Sequence, residues 1–207
     1  MPKKEVPINE LQHFLPAGTF DTVNRYLHFY KVHLTVAKER KTILGNYKHR
    51  TANRNHHISV NGNLNVYEFL VTLLHELAHL LTFEKHGNKV LSHGKEWKLL
   101  YGQMLAQFIS NKVFPVDIEA ELLKTLSNPA ASSCAEDGLV RVFRNYDHAS
   151  SRLILVEELP VKAMFVLDDG RIFQKGNKLR KRFTCTEVNT GKKYLFSPMY
   201  KVLQVVD

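Results

Sequence analysis

The stretch from Asn65 to about His86 constrains the fold most. Phe69, Leu70, Leu73, Leu74, Leu77, Leu80 and Leu81 recur at helical spacing but cover more than one face. A helix apolar on several faces belongs inside a domain. His75, Glu76 and His79 sit at its centre, and its most apolar window, Phe69 to Phe83, is too short and too polar to span a bilayer. Gly87 and Asn88 predict its end, because these residues accept a left-handed turn. A chain of 207 residues, 44% hydrophobic, is long enough to enclose such a helix and leaves room for a small second domain.

The flanking patterns predict what covers it. Ile8 to Phe14 reads as a short helix, and Thr19 or Asp21 would cap a second one through Tyr30. Val32, Leu34 and Val36 alternate as a half-buried strand does; Lys41 to Tyr47 and His56 to Val60 are two more strand candidates. Ser92 would cap a helix running to about Ile109, and Asp117 to Leu126 is a shorter one. A turn-rich stretch over 127–138 then precedes seven β-like runs: Leu139–Phe143, Arg152–Val156, Ala163–Leu167, Arg171–Gln174, Lys181–Cys185, Lys193–Phe196 and Val202–Val206. The expected fold class is α+β: a domain over 1–126 with a small sheet packed on the long helix, a linker over 127–138, and a small antiparallel β domain over 139–207. No apolar stretch or small-residue cleavage site follows the charged start, so a cytoplasmic protein that does not engage a membrane is expected.

The chemistry is concentrated in His75-Glu76-Leu77-Ala78-His79, an H-E-x-x-H on a helix. Residues i and i+4 lie one above the other, about 6 Å apart in rise, so two imidazoles can reach one Zn²⁺. Glu76, beside the first ligand, has the place of a general base in a metal-assisted hydrolysis. Chance yields this motif roughly 0.04 times in a chain of this composition, so it carries more weight than any other local pattern here. A catalytic zinc takes three protein ligands and keeps one open position. His86 is three turns along the same helix from His75, about 16 Å away, which is too far for one ion. Glu84 and Glu96 remain open as carboxylate ligands. His93 is the best candidate, since the Gly87 turn lets the next helix fold back with His93 at its start. Tyr101, His86, Tyr67 and His57 are conceivable oxyanion stabilisers, and the sequence selects none of them.

The stretch Phe69-Leu-Val-Thr-Leu-Leu-His-Glu-Leu-Ala-His79, followed after a spacer by His93-Gly94-Lys-Glu-Trp97, resembles the SprT-like metallopeptidases over roughly residues 20–110. Their pattern is T-L-x-H-E-x-x-H, a short loop, then H-G-x-x-W/F. The resemblance implies that His75, His79 and His93 are zinc ligands and Glu76 the catalytic base. It also implies a compact zincin-like fold and a protein or peptide substrate. In this family, which includes the Spartan proteases, the suggested substrate is protein crosslinked to DNA. Many members end in a Cys₄ zinc ribbon. Cys134 and Cys185 are the only cysteines here and cannot build one, so the β domain stands in that position without a metal cluster.

Charge bears on the partner. The formal net charge is +9. The chain has 16 basic against 13 acidic side chains before Leu139, and 13 against 7 from there on. The densest cluster, Lys178, Arg180, Lys181 and Arg182, is a candidate nucleic-acid contact, with alternation predicting a cationic stripe over Lys178, Arg180 and Arg182. A second basic group spans Lys38, Arg40, Lys41, Lys48, Arg50 and Arg54. The expected function is a zinc-dependent endopeptidase acting on DNA-bound or DNA-crosslinked protein. The alternative is a non-catalytic scaffold that binds nucleic acid or protein. An intact Glu76 favours the enzyme, because a purely structural metal site has no use for it.

Overall fold

The computed structural model describes residues 8–40, 42–131, 136–147 and 153–205. The chain divides into two compact units, Met1–Asp147 and His148–Asp207.

In the first unit a 3-10 helix (Ile8–Phe14) and α1 (Phe20–Phe29) lead into β1 (His33–Ala37), β2 (Gly45–Lys48) and β3 (His57–Asn61). The sheet order is β1-β3-β2, with β3 parallel to β1 and antiparallel to β2, so β2 is an edge strand. The long helix, α2 (Val66–His86), is buried on nearly every face. It packs against β2 and β3 on one side and α3 (Lys95–Ser110) on another. The same helix is long and apolar enough to cross a membrane, but most of it lies inside the unit. Its start is fixed by Asn65, whose side-chain oxygen accepts from the backbone N–H of Tyr67 and Glu68. The amide of Asn65 donates to the Phe143 carbonyl and to Asp147. Gly87, at φ 60°, ends the helix in a conformation that suits glycine.

α3 starts later than expected. Gly94 is at its N-cap, and Ser92 and His93 lie in the turn before it, where the Gly94 N–H donates to the Leu91 carbonyl. α4 (Val116–Thr125) follows, and Gly102 on α3 admits its end: a Cβ there would stand 2.7 Å from the Leu126 carbonyl oxygen.

The run expected as the first strand of the β domain is instead a helix, α5 (Asp137–Phe143). Leu139 and Phe143, four residues apart, both enter the first unit's core, beside α4. The units therefore part after Asp147, not at the expected linker, and Phe143 belongs to the first core. Of the expected linker, 132–135 lies outside the described residues.

The second unit is a six-stranded antiparallel sheet of β4 (Leu153–Leu155), β5 (Met164–Val166), β6 (Ile172–Leu179), β7 (Arg182–Glu187), β8 (Lys193–Phe196) and β9 (Lys201–Gln204). The strand order is β4-β9-β5-β6-β7-β8. Its core gathers Val156, Leu159, Phe165, Phe173, Cys185, Phe196 and Val202. The other six expected β runs correspond to these strands.

Candidate metal centre and cleft

Two turns into α2, the helix presents His75, Glu76 and His79 to a cleft of about 460 Å³. Gly45, Asn46 and Tyr47 of the edge strand, with Thr42, Ile43 and Leu44 just before it, form another part of its lining, and Ser92, His93 and Ala131 complete it. His93, separated from His79 by the Gly87 turn, returns to the same place.

The three imidazoles converge. His75 Nε2 lies 3.2 Å from His79 Nε2 and 3.3 Å from His93 Nε2. Ligands bound tetrahedrally at about 2.0–2.1 Å stand about 3.3–3.4 Å from one another, which is this spacing. Burial, with repulsion from the neighbouring histidines, pushes His75 down to about 3 and His79 to about 4. Burial also lowers His93, with the nearby Lys98 charge adding to it. All three rings therefore offer neutral lone pairs at neutral pH, the form a metal requires. His75 Nδ1 is buried without a hydrogen-bond partner. Packing orients this ring, against Trp97 at 4.7 Å and Tyr101 at 5.5 Å between centroids. The donor set fits zinc: His75, His79 and His93 could hold one ion.

Glu76 is buried beside them, and burial lifts its carboxyl to about 8 against the opposing pull of Arg40. A cation on the imidazoles would draw it back down. Arg40 is itself pinned, donating to Asn61 Oδ1 at 2.7 Å, Ser59 Oγ at 2.9 Å and the Leu44 carbonyl at 3.2 Å. Gly45 lets β2 lie directly on Glu76, since a Cβ there would stand 2.5 Å from Glu76 Oε1 and 2.8 Å from Thr72 Cγ2. Gly45→Ala is expected to cost about 1–3 kcal/mol by overpacking. Part of that cost should vanish in the Glu76→Ala background, a coupling that urea denaturation of the four proteins in the cycle would read.

The other candidates are placed elsewhere. Glu84 is engaged by Arg50 and His56. None of Glu84, His86 and Glu96 lines the cleft. Nor does any of the four residues considered as oxyanion stabilisers: Tyr101 packs beneath His75, Tyr67 against Phe114 and Tyr146, and His57 bonds Thr35. Tyr47 does line it and went unnoticed, because only the β2–β3 pairing brings it there.

The basic residues are sorted by the fold. Lys178, Arg180, Lys181 and Arg182 are all exposed at the β6–β7 turn, but they do not make one stripe. Arg180 takes φ 55° in the turn, and the hairpin pairs Lys178 with Phe183 and Leu179 with Arg182, which sets Lys178 and Arg182 on opposite faces. Lys175 is buried, donating to the Glu157 and Leu159 carbonyls, with its Nζ 4.0 Å from the Phe183 ring centre. Phe173 is fully buried, as its alternation predicts, and Phe183 packs against the same core. In the second basic group Arg40 and Arg50 are already engaged, and Lys41 lies outside the described residues.

Helices around a three-stranded sheet, with histidines of two segments meeting over a buried glutamate, make up a metallopeptidase-like domain. Residues 13–120 match the model of the SprT-like family, and the chain belongs to that family. Comparison with the curated proteins and with the solved structures gives no match. The family match ends within α4, so α5 and the second unit lie beyond it.

Proposed function

We propose that this chain is a zinc-dependent endopeptidase with a zincin-like first unit, acting on DNA-bound or DNA-crosslinked protein. The observation that carries the reading is that His75 Nε2 stands at tetrahedral ligand separation from both His79 Nε2 and His93 Nε2, with Glu76 in the same cleft. His75, His79 and His93 would hold the ion. When bound, zinc supplies a Lewis acid that polarises a carbonyl and makes water more acidic. Glu76 accepts the proton of the attacking water and returns it to the leaving amine, two steps for which one carboxylate suffices. Gly45 keeps that carboxylate in place. The edge strand β2 offers outward backbone N–H and C=O groups along the cleft, and an extended peptide can pair with such an edge.

For DNA the supporting feature is the exposed tip of Lys178, Arg180, Lys181 and Arg182 in the second unit. Zinc-loaded protein is expected to cleave a basic protein bound to duplex DNA, to stop when a chelator is added, and to recover with zinc. Neutralising the four tip residues together should weaken DNA binding and flatten its salt dependence by up to about four contacts' worth. Zinc content should be unchanged and cleavage of an unstructured peptide preserved. Mobility shifts at two salt concentrations read the first effect; no shift by the parent at low salt removes DNA as the partner.

A further inference from the structure

Tyr47 stands in the cleft lining beside His79, the two rings stacked at 6.4 Å between centroids and 5° between planes. Its hydroxyl lies 2.9 Å from His56 Nδ1. The His56 side chain is 2% exposed, and its other nitrogen, Nε2, is 3.2 Å from Glu84 Oε1. Arg50 Nε meets the same oxygen at 3.1 Å.

Two independent contacts set the direction of this chain. Glu84 Oε1 accepts from the Arg50 guanidinium, which can only donate, so that oxygen is an acceptor and His56 Nε2 carries the ring hydrogen. The backbone N–H of Arg50, which can only donate, lies 3.3 Å from Nδ1, so Nδ1 carries the lone pair. Burial lowers His56 below its ordinary range, against the pull of Glu84, which keeps the ring neutral. Tyr47 must therefore donate to Nδ1. A phenol keeps its proton at neutral pH, so this proton is the one it gives to His56.

We infer that Tyr47 faces the cleft as a hydrogen-bond acceptor, its single proton committed to the His56–Glu84 pair, and that it binds an N–H donor of the peptide lying there. The inference rests on the hydrolytic reading for its substrate, and on the hydrogen-bond chain alone for its polarity. A tyrosine so held is not an oxyanion donor. It reads the substrate, and its partner is a backbone amide or the side chain of a lysine or arginine.

The experiment has two parts. Nitrogen-15 NMR of the zinc-loaded full chain should show His56 protonated at Nε2 and bare at Nδ1; the opposite tautomer overturns the polarity. Next, Tyr47→Phe should lower kcat/KM on a casein-derived peptide by about 10- to 100-fold, with zinc affinity and melting temperature held. His56→Leu should reproduce most of that loss. His56→Gln should restore activity, since its carboxamide can donate to Glu84 and accept from Tyr47. N-methylation of the recognised amide, or norleucine in place of the basic residue, should slow the parent and leave Tyr47→Phe indifferent, which identifies the donor. A Tyr47→Phe protein that cleaves as fast as the parent, or that loses its zinc, overturns the role of Tyr47. A parent that cleaves nothing overturns the hydrolytic reading itself, while the tautomer still tests the chain.

Discussion

Glu76→Gln is expected to leave an intact, zinc-binding protein that no longer hydrolyses peptide, with turnover down by at least about 10²–10⁴-fold. The amide has the size and shape of the carboxylate, so the close fit under Gly45 is preserved. What disappears is the capacity to take a proton from water and return it to the leaving amine. Zinc binding should hold, because the three imidazoles come from two positions on α2 and one in the turn before α3, and the substitution alters none of them. Stability should not fall, since the substitution removes a carboxylate whose charge is disfavoured by burial. The measurement is single-turnover cleavage of casein alongside a zinc titration. Cleavage at the parental rate would falsify the assignment of Glu76 as base, and lost zinc would show that the carboxylate supports the ligands instead.

What the sequence made legible is local. The i, i+4 histidines and the intervening glutamate need only one helix, and the apolar residues around them mark that helix as internal. His93 required one further step, a turn at Gly87 and Asn88, and its residue type limited the choice. The errors come from patterns compatible with two periods. In Leu139-Val140-Arg141-Val142-Phe143, β-branched residues suggest a strand, yet Leu139 and Phe143 are also four apart, and the core beside α4 decides for the helix. The cationic stripe failed because the chain reverses at Arg180 and Lys181: Lys178 pairs with Phe183 and Leu179 with Arg182, so Lys178 and Arg182 take opposite faces of the sheet. Tyr47, His56 and Glu84 lie on three separate elements or loops, and no spacing links them. The only available signal was a polar ring on a strand expected to line the long helix, with a glutamate five residues past His79.

Removing one histidine from the triad should have the largest effect on metal binding. Parent protein is expected to take up one Zn²⁺, and free zinc at about a thousand times its dissociation constant would add about 4 kcal/mol to stability. His93→Ala leaves His75 and His79 as a two-ligand site. Loss of a residue that merely orients a ligand typically costs 10–100-fold in affinity, so loss of a ligand should cost at least about 100-fold. The zinc-dependent rise in melting temperature should shrink with it. His93 is the informative position because it is less buried than His75 and sits in a turn, so its removal opens no core cavity. His75→Ala would lose zinc as well, but it would also unpack Trp97 and Tyr101 and confuse ligation with folding. Glu84→Ala and Glu96→Ala are the controls. Glu84 is spent on His56 and Arg50, so its loss should weaken the fold locally and leave zinc affinity near the parent's. Competition with a chromophoric chelator measures all four proteins on one scale. Full affinity in His93→Ala together with loss in either glutamate variant would reassign the third ligand. Equal loss in His93→Ala and Glu84→Ala would mean that the hydrogen-bond chain through His56 and Tyr47 also holds the ring of His79 in place.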